Sequence, residues 1–524
     1  MTVFPDIQNL LPDSVIFETD RGKSELPGSE RVVYNDITLT VKGGRVAVSA
    51  DSTGLRFVTL EYRYDMPEDP RFLGDAWERG YGELEWRGFV FDRVMPWYFF
   101  ALSGDILGAF GVRTNPGAMC SFSCDRRGVK LHIDLRCGGD PVELRGRELT
   151  LCEIVSAEYH AGDPTELFLR QRDFLRLLVR KAVFPPENVY GFNNWYYAYG
   201  NSSREEILAN CAHLEKLTAG NKVRPYMVID DGWQVLHVDG FNGGPWNAGN
   251  ADYGDMRSLA AEMAAHNVLP GIWIRPLLDN NPDLKPEMFR VVEPGAERPL
   301  DPTDPEVLKY IAETVDLICD WGFRLIKYDF TTFDITNRWG PGMGFSFCAD
   351  YIHFRDRSRT TAEIITELYR TIHTAAAGRA LILGCNCVGH LGAGYMELNR
   401  TGDDTSGREY DRTRRMGYNT LAFRMPQHNV FYAVDADCAG LTADIPWEKN
   451  HVWLRMLAES GTPTFVSVAP DLLNDEQNAV LAGFLKTASE IKTVAVPQDV
   501  LWTTTPERYL QIGGSFHSEN MTKE

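Results

Sequence analysis

From Val189 to about residue 491, short apolar runs alternate with loops and amphipathic stretches. The runs are Val189–Trp195, Pro225–Ile229, Val268–Ile274, Arg324–Tyr328, Ala380–Gly384, Tyr395–Asn399, Phe431–Val434 and Pro463–Val468. Helix-like segments lie between most of them: Ser203–Leu217, Met256–His266, Pro305–Trp321, Thr360–Ala376, Arg408–Phe423 and Trp447–Glu459, with Asn474–Ile491 after the last run. Eight strands, each feeding a helix, predict an α/β fold of the (β/α)8 TIM barrel type, because eight parallel strands close with their helices outside. An open doubly wound sheet competes, but it needs a glycine-rich turn after its first strand, and Asn193 to Tyr197 reads Asn-Asn-Trp-Tyr-Tyr.

Upstream the rhythm differs. Alternating runs such as Arg31–Val41, Arg45–Ala50, Leu55–Tyr64, Lys130–Leu135 and Glu148–Tyr159, separated by Gly, Pro and Asp clusters, predict antiparallel strands. A helix over Pro164–Lys181 follows and stops at Pro185-Pro186. The expected organisation is an N-terminal β region over 1–184 with its linking helix, a barrel over 185–492, and a short C-terminal β extension over 493–524. That extension is too small for a core of its own; its expected strands are Val500–Thr503 and Tyr509–Ile512, before a polar tail ending SENMTKE. The long stretch Thr331–Arg359 exceeds a mere connection and is expected to shape a site.

Charge removes some functions. The 73 acidic residues exceed the 53 basic ones, a formal net charge of −20, which repels a phosphate backbone; no nucleic-acid partner is expected. The most apolar stretch, Val94–Val112, is broken by Pro96, Gly104 and Asp105, so no membrane span is expected. The N-terminal residues lack the basic-then-apolar order of a signal peptide, and the ten cysteines form no disulfide framework or zinc spacing; the default expectation is cytoplasmic.

Catalytic residues of such a barrel project from the C-terminal ends of its strands. Those ends carry Trp195, then Asp230-Asp231-Gly232-Trp233, Trp273 and Arg275, Lys327 and Asp329, Asn386, and Arg400 with Asp403-Asp404. Carboxylates beside indoles suit a sugar, whose hydroxyls donate to the former while its C–H face stacks on the latter. No set of histidines or cysteines joins them, so neither metal nor cofactor is expected. Glycoside hydrolysis needs two carboxyl groups around the anomeric carbon. Asp329 is the nucleophile candidate: it directly follows an apolar strand, and Lys327, two residues back, shares its side of that strand and favours its ionised form. Asp403 or Asp404, two strands on, is the candidate acid. His390 and the pair Asp435 and Asp437 read more simply as structural.

Three segments resemble a known family. Ile-Asp-Asp-Gly-Trp-Gln at 229–234, Lys-Tyr-Asp at 327–329 and Arg-Thr-Gly-Asp-Asp-Thr at 400–405 are similar to the signature segments of the α-galactosidases of glycoside hydrolase family 36. The resemblance covers the barrel and implies an N-terminal β-sandwich. The segment Gly74–Arg79 is similar to a loop that, in such enzymes, reaches the active site from the sandwich. It implies a retaining exo-α-glycosidase acting on an oligosaccharide or glycoside, with Asp329 as nucleophile and Asp403 as acid/base. Asp230 and Asp231 would bind the 4- and 6-hydroxyls of galactose, Lys327 a ring hydroxyl, and Trp195 and Trp233 the pocket wall. Family enzymes often form oligomers, so a homo-oligomer is compatible. Gly384–His390 and Arg275 depart from the common pattern, which marks a divergent branch and leaves the 2-position of the sugar open. An α-N-acetylgalactosaminidase, a transglycosylase and a catalytically silent sugar-binding protein are the alternatives.

Overall fold

The structure, a computed structural model, describes residues 3–235, 241–292 and 297–513, so the polar tail lies outside the described residues. Nine strands form one parallel sheet: β1 Tyr190–Asn193, β2 Tyr226–Ile229, β3 Leu269–Ile274, β4 Leu325–Tyr328, β5 Leu381–Gly384, β6 Leu398–Arg400, β7 Ala433–Asp435, β8 Cys438–Leu441 and β9 Thr464–Val468. Their order is β7-β6-β5-β4-β3-β2-β1-β9-β8. The strands at its two ends, β7 and β8, are separated in the chain by Ala436 and Asp437 alone. Each of the eight expected runs therefore holds a strand, while β8, just after the seventh, lies outside them and was not expected. β1 approaches β2 so closely that a Cβ on Gly191 would lie 1.9 Å from the Tyr226 carbonyl oxygen, and its φ is +148°.

The intervening helices bury one apolar face each. Pro305–Trp321 packs on Thr361–Ala376, and the latter opens with a capping box in which Thr360 and Glu363 bond each other's backbone N–H. The expected helix over 408–423 is three pieces instead: Tyr410–Thr413, a wider π-helical turn Arg414–Asn419, and Thr420–Arg424. Packing accounts for this: Gly417 lies flat against the Trp453 ring, while the Asn419 side chain donates to the Leu84 carbonyl and accepts from its N–H.

Two antiparallel sheets precede this unit, one of six strands and one of seven. Ile37, Leu39 and Val41 alternate inward with partly exposed Thr38 and Thr40, the period-two pattern read from sequence. Phe99 of the seven-stranded sheet contacts Phe122 of the six-stranded one, with centroids 5.3 Å apart. The helix Pro164–Leu178 is capped by Asp163, and its buried Arg172 donates to the His428 carbonyl at 2.7 Å. At the C-terminal end, Tyr509–Gly513 is a strand, but its partner is Thr493–Pro497. The expected strand Val500–Thr503 is a turn closed by Trp502 N–H on the Asp499 carbonyl. Among the described residues, no helix is long and apolar enough to cross a membrane. All ten cysteines are free thiols.

Arg136 fastens the antiparallel region to the segment beyond β4. It is buried, donates to Asp134 at 2.8 and 2.9 Å, Asp350 at 2.7 Å, Ser346 at 2.6 Å and the Cys348 carbonyl at 3.2 Å, and lies over the Phe57 ring. Arg136→Met strands the Asp134 carboxylate and should destabilise the protein by about 3–5 kcal/mol. Urea unfolding measures this, and a change under 1 kcal/mol contradicts the anchoring role (~1 kcal/mol being an ordinary loss).

Candidate functional site

Asp329 is the residue after β4, and its N–H donates to the Ile274 carbonyl at the end of β3. Its carboxylate accepts from the Phe330 N–H at 2.7 Å and from the Trp273 indole N–H at 3.3 Å. Burial alone would push its carboxyl up. Arg79, Lys327 and those two hydrogen bonds more than reverse the effect and hold it below the usual carboxylate range. The carboxylate is thus mostly buried, aimed and held in its ionised form.

Asp403 faces the same space from the segment after β6. A long excursion from the N-terminal sheets places it: Gly80 N–H donates to the Thr401 carbonyl, and Asp403 N–H donates to the Gly80 carbonyl at 2.9 Å. The chain at 79–80 therefore lies along this segment like a short extra strand. Arg79, delivered this way, donates to Asp403 at 3.1 Å and Asp404 at 3.5 Å. Its guanidinium lies over the Trp339 ring, which stacks on Phe333. Arg412 takes the other Asp403 oxygen at 2.6 Å. Burial, Asp437 and Asp403 push the Asp404 carboxyl up to about 6 against the pull of Arg79 and Arg400. Glu78 joins the excursion to the segment beyond β4, accepting from Gly340 N–H at 2.8 Å and the Tyr81 hydroxyl at 2.5 Å.

These groups enclose a cavity of about 760 Å³, lined by Asp329, Asp403, Asp404, Arg79, Tyr81 and Phe330, with 337–339 and 341–342 at its side. That is room for a sugar and part of its aglycone. Lys327 is buried and donates to Asp230 at 2.6 Å, and Asn193 donates to the same oxygen. Burial lowers the ammonium's pKa, but Asp230 more than compensates and raises it overall. Asp231 accepts from Gln234 at 2.6 Å. Trp273 touches the site through its bond to Asp329, and Trp195, first residue of the helix Trp195–Ala198, is partly exposed beside Tyr199.

Several expected contacts are corrected. Trp233 is not pocket wall. Gly232, with φ +114°, turns the chain down so that the indole is buried against Trp246 and Trp321 and donates to the Trp273 carbonyl. The Arg275 guanidinium is spent on Asp334 at 2.6 and 3.0 Å, on Glu297 and on Asn242. Asn386 is buried beneath Thr331–Phe333, whose N–H and hydroxyl groups it binds, and Cys385 is buried behind Arg79, 4.0 Å from its guanidinium. Arg400 is buried and divides its charge among Asp404, Asp435 and Asp437. Asp230, Asp231 and Lys327 likewise lie outside the cavity lining. Sequence reasoning did not single out Tyr81, Trp339 or Arg412. Only the long stretch after β4 signalled one of them. Among the described residues, no group of three or more His, Cys, Asp or Glu could hold a metal ion.

No protein-family model matches the chain, and no curated protein matches it in sequence. Solved structures do. An α-galactosidase from Thermus thermophilus in complex with stachyose is 15% identical with a TM-score of 0.56, the match covering 87% of this chain and 99% of that one. The family 36 α-galactosidase AgaA from Geobacillus stearothermophilus, as a variant in complex with raffinose, is 14% identical with a TM-score of 0.60, covering 90% and 75%. The chain shares its fold with family 36 α-galactosidases. The galactosidase domain of an α-galactosidase-sucrose kinase is a further match, 15% identical with a TM-score of 0.54 over 90% of this chain and 66% of that one.

His390 is an exception to the hydrogen-bonded interior. It stacks on Trp97 with ring centroids 5.1 Å apart, neither ring nitrogen has a hydrogen-bond partner, and burial holds its pKa down at about 3. The unfolded chain therefore binds this proton first as pH falls below about 6.5, and the fold loses stability down to the folded value. His390→Phe should remove that loss. Its stability relative to wild type, from urea unfolding at each pH, should rise by about 1 kcal/mol per unit between pH 6 and pH 4. A pH-independent difference contradicts the neutral, unbonded ring.

Proposed function

We propose that the chain is a retaining exo-α-glycosidase that removes terminal α-galactosides by double displacement. The observation that carries this is an ionised Asp329 sharing one cavity with Asp403, in a fold shared with α-galactosidases. In this reading the parallel sheet is a (β/α)8 barrel over 185–492 whose seventh strand breaks at Asp437. The two antiparallel sheets form a sandwich over 1–184, and 493–524 is an extension.

Asp329 attacks the anomeric carbon as Asp403 protonates the departing glycosidic oxygen. Asp403 then takes a proton from water, which attacks the glycosyl-enzyme and releases Asp329. At rest both Asp403 oxygens accept from guanidinium groups, Arg79 and the partly exposed Arg412. Protonation requires one to withdraw, and Arg412, 40% exposed against 6% for Arg79, is the one with room to move. Sugar recognition falls to groups that line the cavity, with Asp230, Asp231 and Lys327 supporting the floor.

A panel of nitrophenyl α- and β-glycosides tests this beside two variants. The α-galactoside should turn over, Asp329→Ala should abolish turnover, and Asp403→Ala should slow it by roughly 100- to 10,000-fold. Azide should rescue both variants with opposite products: β-galactosyl azide from Asp329→Ala, where azide replaces the nucleophile, and α-galactosyl azide from Asp403→Ala. Turnover of only β-glycosides, or one azide anomer from both variants, contradicts the assignment.

A further inference from the structure

The gap between β7 and β8 is strained. Asp437 has φ +70°, a left-handed conformation uncommon outside glycine and best tolerated by Asn and Asp, and its own N–H reaches only the Asp435 carboxylate, at 3.2 Å. The distortion puts its carboxylate where three separate parts of the chain meet. One oxygen accepts from Arg400 at 2.8 Å. The other accepts from the Thr405 N–H at 2.8 Å, the Thr405 hydroxyl at 3.0 Å and the Tyr196 hydroxyl. Tyr196 belongs to the helix after β1 and is itself fixed by an N–H bond to Ser467 in β9. Arg400 and Thr405 bracket the segment that carries Asp403 and Asp404, so a single carboxylate holds it at both ends. Asp437 is buried and outside the cavity lining, so it acts through other residues.

We propose that Asp437 is a positioning residue, whose carboxylate clamps the 400–405 segment and draws the charge of Arg400 away from Asp404. The inference rests on the glycosidase reading above and adds to it a residue that touches no substrate. The charged and titratable groups around the pair are Arg79 from the N-terminal excursion, Lys327 from β4, Arg400, Asp403 and Asp435, with the neutral Tyr196 phenol and the Cys438 thiol of β8. Arg400 binds Asp404 at 3.3 Å, Asp435 at 3.3 Å and Asp437 at 2.8 Å, so losing the shortest of these pairs leaves more of its field on Asp404. Asp404 should then ionise at lower pH.

Asp437→Asn isolates the charge. Asn tolerates φ +70° and keeps an oxygen for the Thr405 N–H, so the fold has no backbone reason to fail. With an aryl α-galactoside, kcat should fall roughly 10- to 100-fold with KM within about twofold, since the loss is in alignment of a catalytic segment. Asp404 lines the cavity beside Asp403, so its ionisation enters kcat/KM, and the acid-side inflection that it sets should move toward lower pH, a change that simple loosening does not produce. Asp437→Ala, which loses the bond to Thr405 as well, should be slower still, and Asp437→Glu, which restores the charge, should return the inflection toward its wild-type position. An Asn variant with wild-type kcat and an unmoved inflection overturns this proposal alone, as does a fall in kcat that leaves the inflection in place. A wild-type protein without turnover on any member of the panel overturns the glycosidase reading, and this inference with it.

Discussion

The site depends on two backbone hydrogen bonds, Gly80 to Thr401 and Asp403 to Gly80. They join a loop from the antiparallel sheets to the segment after β6, and through Arg79 they fix the charge of the cavity. Neither glycine tolerates a side chain there: a Cβ on Gly402 would lie 2.2 Å from the Met416 carbonyl oxygen, and one on Gly80 would lie 2.9 Å from Thr420. Arg79 then does three things from one position. It holds Asp329 ionised, occupies one oxygen of Asp403 and shares its charge with Asp404. A parallel sheet can present carboxylates at its C-terminal edge by itself. It cannot also supply this cation from the opposite side, and the antiparallel region does.

A network of alternating charge runs beneath. Arg79, Asp404, Arg400, Asp437 and Asp435 form one connected series, with Lys327 and Asp230 paired beside it. Each buried charge has an opposite partner within hydrogen-bonding range, as a dry interior requires. The two aspartates at the break between β7 and β8 belong to this network, which is why a distorted strand persists there.

Most of the scaffold was legible because strands buried on both faces read as unbroken apolar runs; all eight lie within two or three residues of their expected bounds. The rim was less legible. Position at a strand end marked Asp329 and Asp403, which line the cavity, yet it marked Trp233 and Arg275 equally. Gly232 turns Trp233 against Trp246 and Trp321, and Arg275 meets Asp334, which a reading of strand ends does not weigh. Arg79 carries no local signal, since its partners lie far along the chain, and only its resemblance to a family loop pointed to it. The π-helical turn at Arg414–Asn419 was hidden because its apolar spacing is helical; the widening answers to Trp453 and Leu84, both remote in sequence.

The central claim is that Asp329 becomes covalently bound to sugar. A fluorinated α-galactosyl fluoride, whose leaving group departs readily while the fluorinated glycosyl-enzyme hydrolyses slowly, tests it by intact-mass and peptide mass spectrometry. The account predicts a gain of one fluorogalactosyl group on the peptide containing Leu325–Phe330, localised to Asp329 and absent from Asp329→Asn. Label on any other residue, or turnover of galactosides by a protein that never labels and yields product of inverted configuration, would contradict it.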